Sequence, residues 1–205
     1  MTHDSTFRGR NLVLTATVLS GGLVLAGCTS STTTFAPSSS DSQITTADLI
    51  SRHDLEGLDA AEIIELLDTM PVADRPTDLI ASVHPDTLTL TDATGREAEL
   101  PLPGDDVYLS VAPYRNQTHD CYFHSLTTCI GELSNAEVQV TITSESGKVL
   151  VDEVRKTYDN GFVGVWVPRG IDATLSIGYK GRSGTTNIST RADNAATCIT
   201  DLQLT

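Results

Sequence analysis

The residue types with chemistry to offer gather in one stretch, His119-Asp120-Cys121-Tyr122-Phe123-His124-Ser125-Leu126-Thr127-Thr128-Cys129. These eleven residues hold two of the four cysteines and two of the five histidines in a chain of 205 residues. Thiolate together with imidazole is the ligand set that Cu(I) and Zn(II) prefer. The spacing from Cys121 to Cys129 is not the C-x2–4-C of a zinc knuckle, so no standard structural zinc site is indicated. His119 and Cys121 are two apart, which on an extended segment puts both on one face, and His124 can return from a turn. A metal-free alternative stands beside this one, in which Cys121 and Cys129 close a disulfide and the histidines are bystanders. On residue types alone the two readings are even.

The compartment bears on that contest. Arg8 and Arg10 precede a short, mostly apolar run, Asn11 to Leu25, which ends in Leu25-Ala26-Gly27-Cys28. The run is shorter than the roughly 20 residues a spanning helix needs, and small residues follow it as at a cleavage site. Leu-Ala-Gly-Cys in this position resembles the bacterial lipobox, whose cysteine is acylated and becomes the new N-terminus. Residues 1–28 are therefore expected to be a signal peptide with Cys28 the lipidation site, and the mature protein to be extracytoplasmic and held to the membrane only by its lipid. Thr29 to Gln43 is rich in Ser and Thr with almost no large apolar groups, and reads as a flexible tether over 29–43.

After Cys28, 177 residues remain, with 11 basic and 26 acidic side chains and a net charge near −15 with His neutral. That balance argues against nucleic acid and against an anionic membrane as direct binding surfaces, since both call for a basic patch. With Cys28 lipidated, three cysteines remain: Cys121, Cys129 and Cys198. Three is odd, and one disulfide leaves a free thiol in an oxidising compartment, which points towards metal or redox chemistry.

The elements that must position these residues fall into two kinds. Thr46 to Met70 reads as helical: Thr46 caps Ala47-Asp48-Leu49-Ile50, Gly57 interrupts, and Asp59-Ala60-Ala61-Glu62 has the capping-box pattern. Ile63, Leu66, Leu67 and Met70 recur at helical spacing before Pro71, a stripe that packs on the rest of the chain or forms a homodimer contact. Pro76 to Val83 reads equally as a third helix or the start of a strand. From Asp86 the period is two: Leu88 and Leu90, then Val107, Leu109 and Val111, then Val138, Val140 and Ile142. Asp159-Asn160-Gly161 is a hairpin signal between 154–158 and 162–167, and Gly181 to Gly184 reads as another turn. Cys198 to Leu204 is a last strand, expected to lie centrally and so to bring Cys198 to the other thiols. The expected fold class is α+β, a small helical N-terminal part over 44–84 followed by an antiparallel β-sandwich-like domain over 85–205.

Competing motifs are weak. His124-Ser125 has no nucleophile elbow, and neither a phosphate-binding glycine loop nor H-E-x-x-H is present.

Several segments resemble the CueP-type exported copper-binding proteins. They are Tyr108-Leu109-Ser110-Val111-Ala112-Pro113-Tyr114, then Thr118-His119-Asp120-Cys121 with His124, then Leu126-Thr127-Thr128-Cys129 before Gly131-Glu132-Leu133. Phe162 to Arg169 (FVGVWVPR), Thr197-Cys198-Ile199-Thr200-Asp201-Leu202 and Arg75-Pro76-Thr77-Asp78-Leu79 complete the match. The resemblance runs from about residue 45 to the C-terminus, and the lipobox and tether depart from the family's soluble members. It implies copper binding outside the cytoplasm, reduction of Cu(II) to Cu(I), copper tolerance, and copper supply to a Cu,Zn superoxide dismutase. Carried over by position, Cys121, Cys129 and Cys198 are the redox and metal-binding cysteines, with His119 and His124 as further ligands. The chain is then either a thiol-dependent Cu(II) reductase or a copper-binding protein or chaperone. A thiol-disulfide reductase would be the partner that restores its cysteines. Two alternatives remain: zinc in the same site, and a metal-independent lipoprotein binding module with a static disulfide.

Overall fold

The computed structural model describes residues 39–205, with side chains from residue 46 onward. The lipobox, Cys28 and residues 29–38 of the expected tether lie outside the described residues. The described chain is mostly β, with antiparallel sheets and few helices.

Helix α1 spans Ser39–Arg52, so Thr46 is interior to it rather than its cap. Helix α2 spans Ala60–Thr69 and has the expected capping box. Asp59 Oδ1 accepts the Glu62 N–H at 2.9 Å, and Glu62 Oε2 accepts the Asp59 N–H at 2.8 Å. The buried face of α2 is Ala60, Ile63, Ile64, Leu67 and Asp68, whereas Leu66 is exposed. Ile63, Leu67 and Met70 of the expected stripe pack into the core, but Leu66 does not, and the buried face includes Ile64 and the carboxylate of Asp68 instead.

The region left open between helix and strand becomes strand β1 (Leu79–Val83). It pairs with β2 (Thr87–Asp92), β2 with β3 (Glu97–Pro101), and on its other side β1 pairs with the two-residue β5 (His124–Ser125). α1, α2 and this sheet enclose one hydrophobic core around Leu49, Ile63, Ile64, Leu67, Leu88 and Leu90.

A second core lies between two further sheets. One has the order β11 (Cys198–Ile199), β4 (Asp106–Val111), β8 (Val163–Pro168). The other runs β10 (Arg182–Ser189), β9 (Asp172–Tyr179), β6 (Glu137–Ser144), β7 (Val149–Lys156). Val107, Leu109 and Val111 of β4 and Val163, Val165 and Val167 of β8 meet Val138, Val140, Leu175 and Ile177 there. The opposite faces of the same two strands, Tyr108 and Trp166, pack into the helical core, their rings 5.1 Å apart. β4 is therefore buried on both faces, unlike the one-sided strand its alternation with Tyr108 and Ser110 implies.

Three expectations change. The Asp159-Asn160-Gly161 turn exists, closed by the Tyr158 N–H donating to Phe162 O at 2.7 Å, but β7 and β8 enter different sheets. Gly184 is not in a turn: the hairpin turns at Lys180-Gly181, both with positive φ, and Gly184 lies within β10. A Cβ at Gly184 would lie 2.4 Å from Gln203 O, so glycine there answers a close backbone approach. The last strand sits at a sheet edge rather than centrally, paired in parallel with β4 so that Cys198 stands opposite Ser110.

Candidate metal centre

The site lies where these elements meet. His124 enters on β5, held by the Val83 register, and its N–H donates to Thr197 Oγ1 at 3.1 Å, while Thr197 Oγ1 donates to Val83 O at 2.6 Å. That threonine immediately precedes Cys198, so the same contact sets the last strand against β1. Cys129 closes a turn by donating its N–H to Ser125 O at 3.1 Å. The segment before His119 is gathered by Glu132, whose carboxylate accepts the N–H groups of Arg115, Asn116 and Gln117 at 2.7, 2.8 and 3.3 Å. These bonds hold the Glu132 carboxyl down to about 2.

All three cysteines converge, but not in the pairing considered first. The disulfide joins Cys121 to Cys198, across 77 positions of sequence, and Cys129 is the free thiol. Cys129 Sγ stands 3.6 Å from Cys121 Sγ. The donor atoms of His119, Cys121 and Cys129 lie within 4.8 Å of one another, as do those of His124, Cys129 and Cys198. Cys129 belongs to both groups and so stands within reach of a ring nitrogen of each histidine. Phe162, fully buried, lies beneath both rings, at 4.5 Å from His124 and 6.1 Å from His119. Among the described residues His119 Nε2 is buried without a hydrogen-bond partner, which suits a donor atom meant for an ion.

The electrostatics centre on Asp68, which the sequence reading passed over as part of an amphipathic helix. It is fully buried. Its Oδ1 is 3.0 Å from His124 Nε2 and accepts from Asn160 Nδ2 at 2.9 Å; its Oδ2 accepts from the Tyr108 hydroxyl at 2.7 Å and the Ser110 hydroxyl at 3.3 Å. Arg75, also buried, donates to the main-chain oxygens of Asp68 and Cys129, both at 3.2 Å. Burial pushes the Asp68 carboxyl up, but the charge of His124 and the hydrogen bonds outweigh it and hold it below the usual range. Burial pulls His124 down, but the Asp68 carboxylate, aided by the Cys129 sulfur, raises it to about 9. Burial likewise pushes the Cys129 thiol up, yet the neighbouring His124 keeps it below the ordinary thiol value. Cys129 thus stands beside an imidazole whose proton favours the thiolate form of its sulfur. The sequence did carry a signal for Asp68: it follows Ile64 by four, a carboxylate on an apolar helical face.

The CueP profile, described as a periplasmic copper-binding protein, matches residues 62–203. The chain belongs to the CueP family. A crystal structure of S.CueP is 37% identical, with a TM-score of 0.72 over 83% of this chain and 100% of that one. No curated protein sequence is significantly similar to this chain. Membership makes it a copper-binding protein of an extracytoplasmic family. Among the described residues no helix is long and apolar enough to cross a membrane.

Proposed function

We propose that Cys121, Cys129 and Cys198, with His119 and His124, bind copper and reduce Cu(II) to Cu(I). The observation that carries this reading is the position of Cys129, 3.6 Å from a disulfide sulfur and within 4.8 Å of both histidines. With the Cys121–Cys198 bridge reduced, the two thiolates give one electron to each of two Cu(II) ions and form the disulfide, yielding two Cu(I). Cys129, which takes no part in that bridge, remains a soft ligand for Cu(I) between the two imidazoles. An external thiol-disulfide reductase returns the two electrons and completes the cycle.

The wider role is the one that the resemblance to CueP-type proteins and the lipobox imply. Anchored by a lipid on Cys28 and reaching outward on a tether that is shorter than the expected 29–43, because Ser39 to Gln43 belong to helix α1, the protein lowers the load of free copper, supporting copper tolerance, and supplies Cu(I) to a Cu,Zn superoxide dismutase. The 44–84 segment and the 85–205 sandwich-like domain act as one support for the site, because Asp68 and Arg75 come from the first and the cysteines from the second.

Single Cys121→Ser, Cys129→Ser and Cys198→Ser variants test the reading, with Cu(I) formation followed by a Cu(I)-specific chelator. Loss of reduction is expected in Cys121→Ser and Cys198→Ser, and weakened Cu(I) retention in Cys129→Ser. Undiminished reduction in all three would sink it. The Cys121–Cys198 bridge also supports a second reading, a metal-independent module with a static disulfide. A bridge that resists mild thiol reductant, in a protein that takes up no copper or zinc, would decide for that one.

A further inference from the structure

We propose that Asp68 is the positioning residue of the Cys/His site, holding the His124 ring by Nε2 so that Nδ1 stays on the sulfur side. The inference rests on the copper reading above and concerns a residue of helix α2, outside the cysteine-bearing segments. His124 Nε2 meets Asp68 Oδ1 at 3.0 Å, and Nδ1 stands 3.9 Å from Cys198 Sγ. Turning the ring over would exchange both nitrogens for ring carbons. The buried carboxylate would lose a donor and the sulfurs would lose their nitrogen. Phe162, 4.5 Å from the ring and fully buried, restricts tilting.

The carboxylate is itself immobilised. Its partners come from separate elements: Tyr108 and Ser110 from β4, His124 from β5, Asn160 from the turn after β7. A buried carboxylate with a single partner would be costly; four donors make it a rigid post. A carboxylate behind a ligating histidine fixes the ring of metal-bound imidazoles generally, and removing it typically costs about 10–100-fold in metal affinity.

The amide variant separates ring placement from charge. In Asp68→Asn the NH2 group must replace one oxygen. At the Oδ1 position it would face the Asn160 amide, a donor; at Oδ2 it would face two hydroxyls, which can accept. The amide oxygen therefore stays on the His124 side and still accepts from Nε2. Asp68→Ala removes that acceptor altogether.

The test uses the full chain in two measurements. In the metal-free protein, long-range proton–nitrogen spectra report whether the His124 Nε2–H is protected from solvent. In the reduced protein, competition with a Cu(I) chelator gives the affinity. Wild type and Asp68→Asn are expected to keep the protected Nε2–H, and Asp68→Ala to lose it. Cu(I) affinity should fall by about 10–100-fold in Asp68→Ala and by less than about tenfold in Asp68→Asn. A protected Nε2–H in Asp68→Ala, or equal loss of affinity in both variants, overturns the proposal. If Asp68→Ala does not fold, loss of the Nε2–H signal in Asp68→Asn overturns it equally. His124→Ala marks the copper reading separately: an affinity within about twofold of wild type removes His124 from the copper site, while the Nε2–H signal still decides what Asp68 does.

Discussion

The two cores share strands β4 and β8 as a common wall, yet they differ in what they enclose. The core between the sheets is apolar throughout, with Val138, Val140, Leu175 and Ile177 against the valines of the wall. The helical core meets that wall at a buried polar cluster: Asp68, Arg75, His124, Asn160 and the Tyr108 hydroxyl. The first kind of interior stabilises by removing apolar area from water. The second is stable only because each charge is matched, and the matching is what places the chemistry. The difference teaches that support and site are separable in this molecule, and variants can be chosen to act on one without the other.

The largest effect is expected from the apolar side. Leu175→Ala should destabilise the fold by about 2–5 kcal/mol in urea unfolding, while the folded fraction keeps wild-type Cu(I) affinity. A matching loss of affinity would mean that the two regions are not separable. Next comes reactivity at the polar cluster. At pH 7 Cys129 of the oxidised protein should alkylate about tenfold faster than an ordinary thiol, read by mass spectrometry of its peptide. The rate should persist as pH drops below the ordinary thiol range and fall only when the thiolate protonates; His124→Ala should remove the advantage.

Smaller effects sharpen the contrast at the edges of each region. Asp59→Ala removes the α2 cap and should cost about 1 kcal/mol by thermal unfolding, leaving the thiol chemistry intact. Glu132 bears on the segment before His119. Its folded value, lowered from 4.5 to about 2, means its contribution is present above 4.5 and lost as pH falls through about 2. Glu132→Gln should lower stability across the neutral range and flatten the acid leg of the stability curve, measured by circular dichroism, so that variant and wild type converge below about pH 2.

The contrast also explains what could be read in advance. Alternation found β2 and β6 because one apolar face meets one apolar core, and the capping box at Asp59 is a local signal that tertiary packing left alone. The cysteines and histidines were legible as types. Their partners were not. Asn160 sits in a dipeptide that signals an exposed hairpin, yet its side chain turns inward to Asp68, and Gly161 follows so closely on Gly131 that a Cβ would lie 2.6 Å from Gly131 O. The disulfide joins positions 77 apart, a pairing settled by the parallel docking of β11 on β4 and invisible to spacing.

That bridge has a consequence for energy flow between fold and redox state. By the chain-entropy account, a crosslink spanning 77 positions restricts the unfolded ensemble enough to stabilise the native state by about 4–5 kcal/mol. Thermodynamic linkage makes the influence mutual: whatever the bridge adds to folding, folding adds to the persistence of the bridge. Cys198 lies on a two-residue strand at a sheet edge, followed by seven residues to the chain end. Loosening that short tail weakens the native state's hold on the bridge and makes it easier to reduce. The contacts that hold residues 200–205, among them the Tyr114 N–H to Leu202 O at 3.1 Å and the Leu204 N–H to Tyr114 O at 2.8 Å, therefore bear on how readily the bridge is reduced.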